Sequence, residues 1–434
     1  MVETSLEESV SEQDFIALLL ERAKPLLSTC AAPGGTAWTK RRLFDLSAEA
    51  DDLESFLDDY GARTNRTFSA FTELVASIRG FALAGMQLAH LDHRIPTYGV
   101  LERLGPRADV ATDDVRASLE FVEDRLLQLM GALVDEGRRI GVTELKRGQG
   151  SRPRARTEFH SKLPHNVDLD RIDDDDHRVA EVVTKYLAAH AELDEVGIRP
   201  IEDPDERGSF LRTYCSEETA RVWEATVHNL QSSYDTHVKN TVLETGDPRL
   251  PLLRGHIAAA LHTLEAVTLL THFVERHERG LRSNAADSVL QRIVPRSEVQ
   301  EVTLNRLLVC AAAFLESGVD LAAALLPTYT NTSETRLVLR EGVDLHARPA
   351  SLIVGIVQHH GTPVELEVCG ARCNAGSILE LMVAIGSNPE AREFVAHGDE
   401  RPLRDLVALF AADLGESGLE SLPESLAYLR GRSH

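Results

Sequence analysis

Asp344-Leu345-His346-Ala347-Arg348-Pro349-Ala350 sets one histidine between a β-rich run, Thr335 to Arg340, and an apolar run of helical character, Ser351 to Val357. The imidazole therefore stands where a helix begins. The first N–H groups of a helix have no intrahelical partner and its dipole is positive there, so the position attracts anions. Arg348 adds a planar fork of donors that matches phosphoryl oxygens. Pro349 suits a first helical turn, where its missing N–H costs nothing. A ring nitrogen able to attack phosphorus, beside amides and a guanidinium, predicts a histidine that carries a phosphoryl group.

Two segments follow downstream. Asn374-Ala375-Gly376-Ser377-Ile378-Leu379-Glu380-Leu381-Met382 places Ser377 at a helix start, and Gly398-Asp399-Glu400 precedes the amphipathic run Leu403 to Leu414. Together with the histidine motif, they resemble the histidine-containing phosphocarrier protein (HPr) family of the phosphoenolpyruvate-dependent phosphotransferase system, over about residues 334–415. The family signature is Gly-Leu-His-Ala-Arg-Pro-Ala, matched here except that Asp344 replaces the glycine.

The resemblance implies an α/β open-faced sandwich, a four-stranded antiparallel sheet covered on one face by three helices. Strands are expected to include Thr335 to Arg340 and Val364 to Val368, with helices from about Ala347, Ser377 and Arg401. It implies that His346 accepts the phosphoryl group through Nδ1, with the Ala347 and Arg348 amides and the Arg348 side chain neutralising its charge. Enzyme I is the implied donor, and the implied recipient is a downstream phosphoryl acceptor or regulated protein. The protein would be a phosphocarrier rather than a turnover enzyme, with no cofactor.

Ser377 matches a serine that some bacteria phosphorylate for regulation, although Gly376 replaces the basic residue often found before it. Two further departures bear on partners. Asp344 adds negative charge near a site that must accept a dianion. No lysine occurs from Thr335 to His434, whereas the family commonly presents lysines to acidic partners; Arg348 and Arg372 would take part of that role.

The chain has 434 residues, is 43% hydrophobic and carries a net charge of −23, enough for two or three domains. That acidity argues against nucleic-acid or anionic-membrane partners. The acidic N-terminus lacks the basic and apolar regions of a signal peptide, and Leu307 to Leu326 is interrupted by Glu316 and Asp320. With five scattered cysteines, these features predict a reduced, cytoplasmic protein. Cys369 and Cys373 flank a predicted turn, Gly370-Ala371-Arg372, and read as small strand residues.

Before residue 330 the pattern is helical. We expect a bundle region over 1–145, a basic and acidic linker over 146–172, a second bundle region over 173–330, the carrier-like domain over 334–415 and an extension over 416–434. Predicted helices cover Gln13 to Leu27, Ser47 (as N-cap) to Tyr60, Asn65 to His93 and Thr112 to Ile140. The last carries a stripe of Leu119, Val122, Leu126, Leu127, Met130 and Leu133. Others follow the Asp173–Asp176 cluster to Leu193, then cover Glu217 to Leu243, Leu252 to Arg279 and Glu298 to Leu315; Leu419 to Leu429 reads as a short added helix.

His90 with His93, His262 with Glu265 and His272 with Glu275 each lie one helical turn apart. They lack the order and spacing of a bundle metal site, so no metal is expected. Phosphate loops of the Walker type, serine-nucleophile elbows and zinc-finger cysteine pairs are absent from the sequence. The functional expectation is a phosphoryl relay through His346 with a regulatory output through the helical region. The alternative is a non-catalytic interaction or scaffold protein that uses an inactive carrier-like domain for docking.

Overall fold

The computed structural model describes residues 10–31, 38–142, 175–278 and 284–430. The expected linker over 146–172, with Asp173 and Asp174 after it, lies outside the described residues. The chain divides into two compact units. One comprises Met1–Pro164, Glu192–His228 and Arg254–Ser317; the other comprises His165–Ala191, Asn229–Leu253 and Gly318–His434.

The first unit is helical. Helices Glu12–Ala31, Lys40–Asp59, Ser69–Arg94 and Ala108–Arg139 pack against one another. Helix Arg249–Glu278 joins them through Phe273, whose ring meets Phe81 edge-on at 5.1 Å. Several sequence expectations shift. Thr39, not Ser47, caps the second helix, accepting from the Arg42 amide; the Ser47 hydroxyl bonds back to the Phe44 carbonyl at 2.9 Å. Helix Ala108–Arg139 begins a turn earlier than Thr112, and its buried stripe runs through Val115, Val122, Leu126, Leu129 and Leu133 while Leu127 faces solvent. The phase is set by the neighbouring helices, which reward Leu129 over Leu127.

Charges are buried here in compensated groups. Glu73, 1% exposed, accepts from Arg63 at 2.5 Å and from Arg276 at 3.4 Å, and Glu54 accepts from Arg63 and Arg79. Such carboxylates are tolerable only when paired, since an uncompensated buried charge costs several kcal/mol. A π-helical segment, Val302–Leu308, interrupts the expected helix Glu298 to Leu315. Within it, the Asn305 side chain bonds both the N–H and the carbonyl of Ile201. Three helical stretches, Ser69–Thr97, Arg249–Arg276 and Arg296–Thr328, are long and apolar enough to cross a membrane by length and composition; 56%, 78% and 56% of their windows are buried within the protein.

The second unit contains the expected sheet. Strands β1 (Thr332–Val338), β2 (Val364–Val368), β3 (Ala371–Asn374) and β4 (Glu393–Asp399) form one antiparallel sheet in the order β1-β4-β2-β3. β1 starts and ends earlier than the predicted Thr335 to Arg340. Helices α1 (Ala347–His360), α2 (Ile378–Ser387) and α3 (Glu400–Ala411) pack on one face. The alternation of strand residues explains the layering. Leu337, Val364, Leu366, Val368, Phe394 and Ala396 point into the core, each fully buried large side chain contributing roughly 1.5–3 kcal/mol. Glu334, Arg336, Glu365, Glu367, Arg372, Glu393 and His397 lie on the other face, paired in part with one another.

The β2–β3 hairpin turns at Cys369 and Gly370, both with positive φ, so Cys369 is an exposed turn residue rather than a strand residue. Cys373 is the buried strand partner. All five cysteines are free thiols.

After α3 the chain does not form the expected helix over Leu419 to Leu429. It makes short 3₁₀ turns at Leu419–Ser421 and Glu424–Leu429, because Pro423 divides the segment. Leu414, Leu422, Leu426 and Leu429 nevertheless enter the same core as the sheet. Tyr428 donates to Asp405 of α3 at 2.5 Å, which His360 also contacts at 2.8 Å, and its ring stacks on His359.

At the start of this unit's C-terminal part, Tyr329 donates to Asp247 at 3.0 Å, and Arg249 grips the same carboxylate. Hydrogen bonds from the Arg249 side chain outweigh burial and, with help from Tyr329, draw the Asp247 carboxyl down to about 2. A lowered carboxylate stabilises above its unfolded pKa, about 3.9, and the contribution is lost as pH falls through the folded value. The difference in melting temperature between wild type and Asp247→Asn should therefore be full at pH 6 and shrink as the pH drops from about 4 toward 2. A difference that stays constant over that window would show that the carboxylate charge is not what ties Tyr329 and Arg249 together.

Candidate functional site

The local sequence builds a helix mouth around His346. Leu345 is 7% exposed and Ala350 fully buried, so the chain is pinned to the core on both sides of the histidine. His346 is the N-cap residue of α1, with extended backbone (φ −115°, ψ −170°), and its carbonyl accepts the first helical bond from Ala350 at 3.0 Å. Its side chain makes no capping bond, which leaves the ring outside the helix. Ala347 and Arg348 supply the leading amides, because Pro349 has none.

The ring is 54% exposed, and its Nε2 lies 3.0 Å from Glu416 Oε1. Arg348 donates from Nη2 to the Gly415 carbonyl at 3.4 Å. Both contacts come from the turn after α3, where Asp413, Leu414 and Gly415 all have positive φ (51°, 54° and 71°). Gly415 is needed there: an added Cβ would press on Leu352 of α1 at 3.3 Å, on a backbone that L-residues avoid. Asp344, the departure from the family's glycine, is turned to Arg392 at 3.4 Å, and Arg392 also donates to the Val343 carbonyl. Its negative charge is thus answered locally. Arg340 and Asp413 form another pair at 3.2 Å.

His346, Ala347 and Arg348 are therefore adjacent at one helix N-terminus, as their spacing predicts. Sequence reasoning missed Glu416, Gly415 and Arg392. Gly415 closes the resembling segment and Glu416 sits just beyond it, while Arg392 lies 49 residues from the Val343 carbonyl it holds. Their only sequence signal is Gly415-Glu416 immediately after an amphipathic helix.

Ser377 is the N-cap of α2, where its hydroxyl accepts from the Glu380 amide at 3.3 Å. Glu380 in turn accepts from the Asn374 amide at 2.9 Å, so the two ends of the turn are closed reciprocally. Arg372, expected to share the role of the missing lysines, is engaged by Glu365 and Glu367 on the sheet's open face.

The helix histidines are bound up in side-chain contacts. His262 Nδ1 lies 2.9 Å from Glu265 and 3.1 Å from Gln87. His90 is drawn down to about 4 by burial and then by His262 and Lys40. His272 meets Glu217 at 2.7 Å rather than its helical neighbour Glu275, which instead accepts from the Glu217 amide. Among the described residues, no group of three histidine, cysteine or acidic side chains is arranged to hold a metal ion.

Residues 333–411 match the family model described as "PTS HPr component phosphorylation site". The C-terminal domain is of the phosphocarrier type, a type that works with phosphotransfer partners. The match covers this segment alone, and the helical region before it is not recognised. No curated protein and no solved structure matches the chain.

Replacing Ser377 by alanine should remove one cap of α2 and lower stability by about 1 kcal/mol, whereas Ser377→Asp, which can also cap, should retain most of it. Thermal melts of both variants check this. An Ser377→Asp variant as unstable as Ser377→Ala would contradict a capping role.

Proposed function

We propose that the protein is a phosphoryl relay of the phosphotransferase system. His346 accepts the group from phosphoenolpyruvate-charged Enzyme I and passes it to a downstream acceptor, while the helical region carries a regulatory output. The observation that carries this reading is the half-exposed imidazole at the mouth of α1, inside a segment that matches the phosphocarrier family. In this reading the Ala347 and Arg348 amides and the Arg348 guanidinium neutralise the charge that a phosphoryl group would bring. We place the protein in the cytoplasm, a reading supported by its free thiols and the −23 net charge. Regulatory phosphorylation at Ser377 belongs to the same proposal; a phosphate there would meet the α2 N-terminus favourably and would also crowd Glu380.

The alternative, a non-catalytic scaffold with a silent docking domain, draws on Asp344 in the place of the family's glycine. Labelling separates the two. With radiolabelled phosphoenolpyruvate and its cognate Enzyme I, the wild type should acquire an acid-labile, alkali-stable label. His346→Ala should acquire none, and Arg348→Ala should load about 10²-fold more slowly, as expected on loss of a charge-stabilising donor. A wild type that stays unlabelled with its own Enzyme I would refute the relay.

A further inference from the structure

We propose that Glu416 is a positioning residue for phosphoryl transfer: it keeps a proton on His346 Nε2 while Nδ1 takes up and releases the phosphoryl group. This rests on the relay reading above. The geometric basis is the 3.0 Å contact between Nε2 and Glu416 Oε1. A half-exposed carboxylate–imidazole pair is usually worth little. This one is set up by an unusual backbone. Asp413, Leu414 and Gly415 turn consecutively through the left-handed region, and Leu414, a bulky residue that avoids it, is 1% exposed. Beyond the turn, Leu422, Leu426 and Leu429 are buried and Tyr428 is tied to Asp405, so Glu416 is held from both sides. All of these anchors after residue 411 lie outside the family match.

The chemistry gives the contact a purpose. In loading, the Nδ1 lone pair forms the N–P bond, the bond from phosphorus to the donor atom breaks, and its electron pair stays with the donor. The ring then bears positive charge that it shares with Nε2–H, opposite the Glu416 carboxylate. In unloading, the acceptor oxygen bonds to phosphorus, the N–P pair returns to Nδ1, and the ring leaves as neutral imidazole. Without the Nε2 proton it would leave as imidazolate, a far poorer leaving group. Glu416 therefore helps both directions by acting through the ring, as a carboxylate orients and supports an imidazole in hydrolase triads. The other charged groups around the site are Arg348 on α1, the Asp344–Arg392 pair ahead of it, and the Arg340–Asp413 pair at the strained turn. None is within bonding distance of Nε2 among the described contacts.

The test uses the full chain and phosphoramidate, a small donor that phosphorylates imidazoles without Enzyme I. The phosphohistidine is followed by phosphorus NMR, using the resonance missing from His346→Ala. At pH 8 the wild type should lose phosphate several-fold faster than Glu416→Ala or Glu416→Gln, because a carboxylate beside Nε2 favours the protonated ring, the better leaving group. At pH 5, where solvent supplies protons freely, the three rates should coincide. Glu416→Asp should restore part of the pH 8 rate. Superimposable profiles across pH would overturn the proposal. So would a slowing in Glu416→Ala that is equal at pH 5 and pH 8, since that would mark a merely structural role, and so would failure of His346 to accept phosphoramidate. Absence of an Enzyme I label, by contrast, would count against the relay and leave these profiles measurable.

Discussion

Everything at the candidate site depends on burying the residues that flank His346. Leu345 and Ala350 are drawn into the apolar layer between the sheet and α1, and that layer fixes where the helix starts. Because the start is fixed, the leading amides point in one direction and the imidazole has nowhere to go but outward. A histidine one position later would lie within the helix, and one position earlier it would replace the buried Leu345. Gly361 closes the other end of α1 in the left-handed conformation, so the helix cannot slide to relax the arrangement.

The helical region uses a different kind of constraint. Its long helices bury carboxylates such as Glu73 and Glu54 among Arg63, Arg79 and Arg276. These pairings need not add net stability, but breaking one partner leaves a charge stranded, which penalises wrong packings more than it rewards the right one. His256, fully buried against the Phe314 carbonyl and drawn down to about 4 by burial, adds a neutral contact whose loss would leave a buried polar group unpaired. Specific polar contacts of this kind suit a region whose helices, by composition, could pack in several registers.

The carrier domain was largely legible in the sequence. Alternation in Val364 to Val368 matches the observed in-and-out burial of β2, and the three quoted segments each begin a helix close to where the pattern places it. What was not legible is tertiary in origin. Glu416 reaches His346 through a turn in which Leu414 adopts a conformation its own preference opposes, so no local rule could forecast it. The stripe on Ala108–Arg139 shifted from Leu127 to Leu129 because neighbouring helices decide which of two adjacent leucines is covered. His272 chose Glu217 over Glu275 for the same reason: helical spacing proposes partners, and packing selects among them.

The strained turn after α3 also sets an order of events during synthesis. A nascent chain that has emerged as far as Ala411 holds all of the sheet and helices α1 to α3, and so every residue matched to the family, but Leu414 and Glu416 are still to come. The histidine is thus made long before its carboxylate neighbour, and the core of the domain waits on Leu422, Leu426 and Leu429 to be sealed. Completion of the site is in this way coupled to completion of the domain's last turns. A product ending short of them would show its histidine without Glu416 and its core partly uncovered, a form readily recognised by proteases that take exposed apolar surface as a mark of unfinished protein.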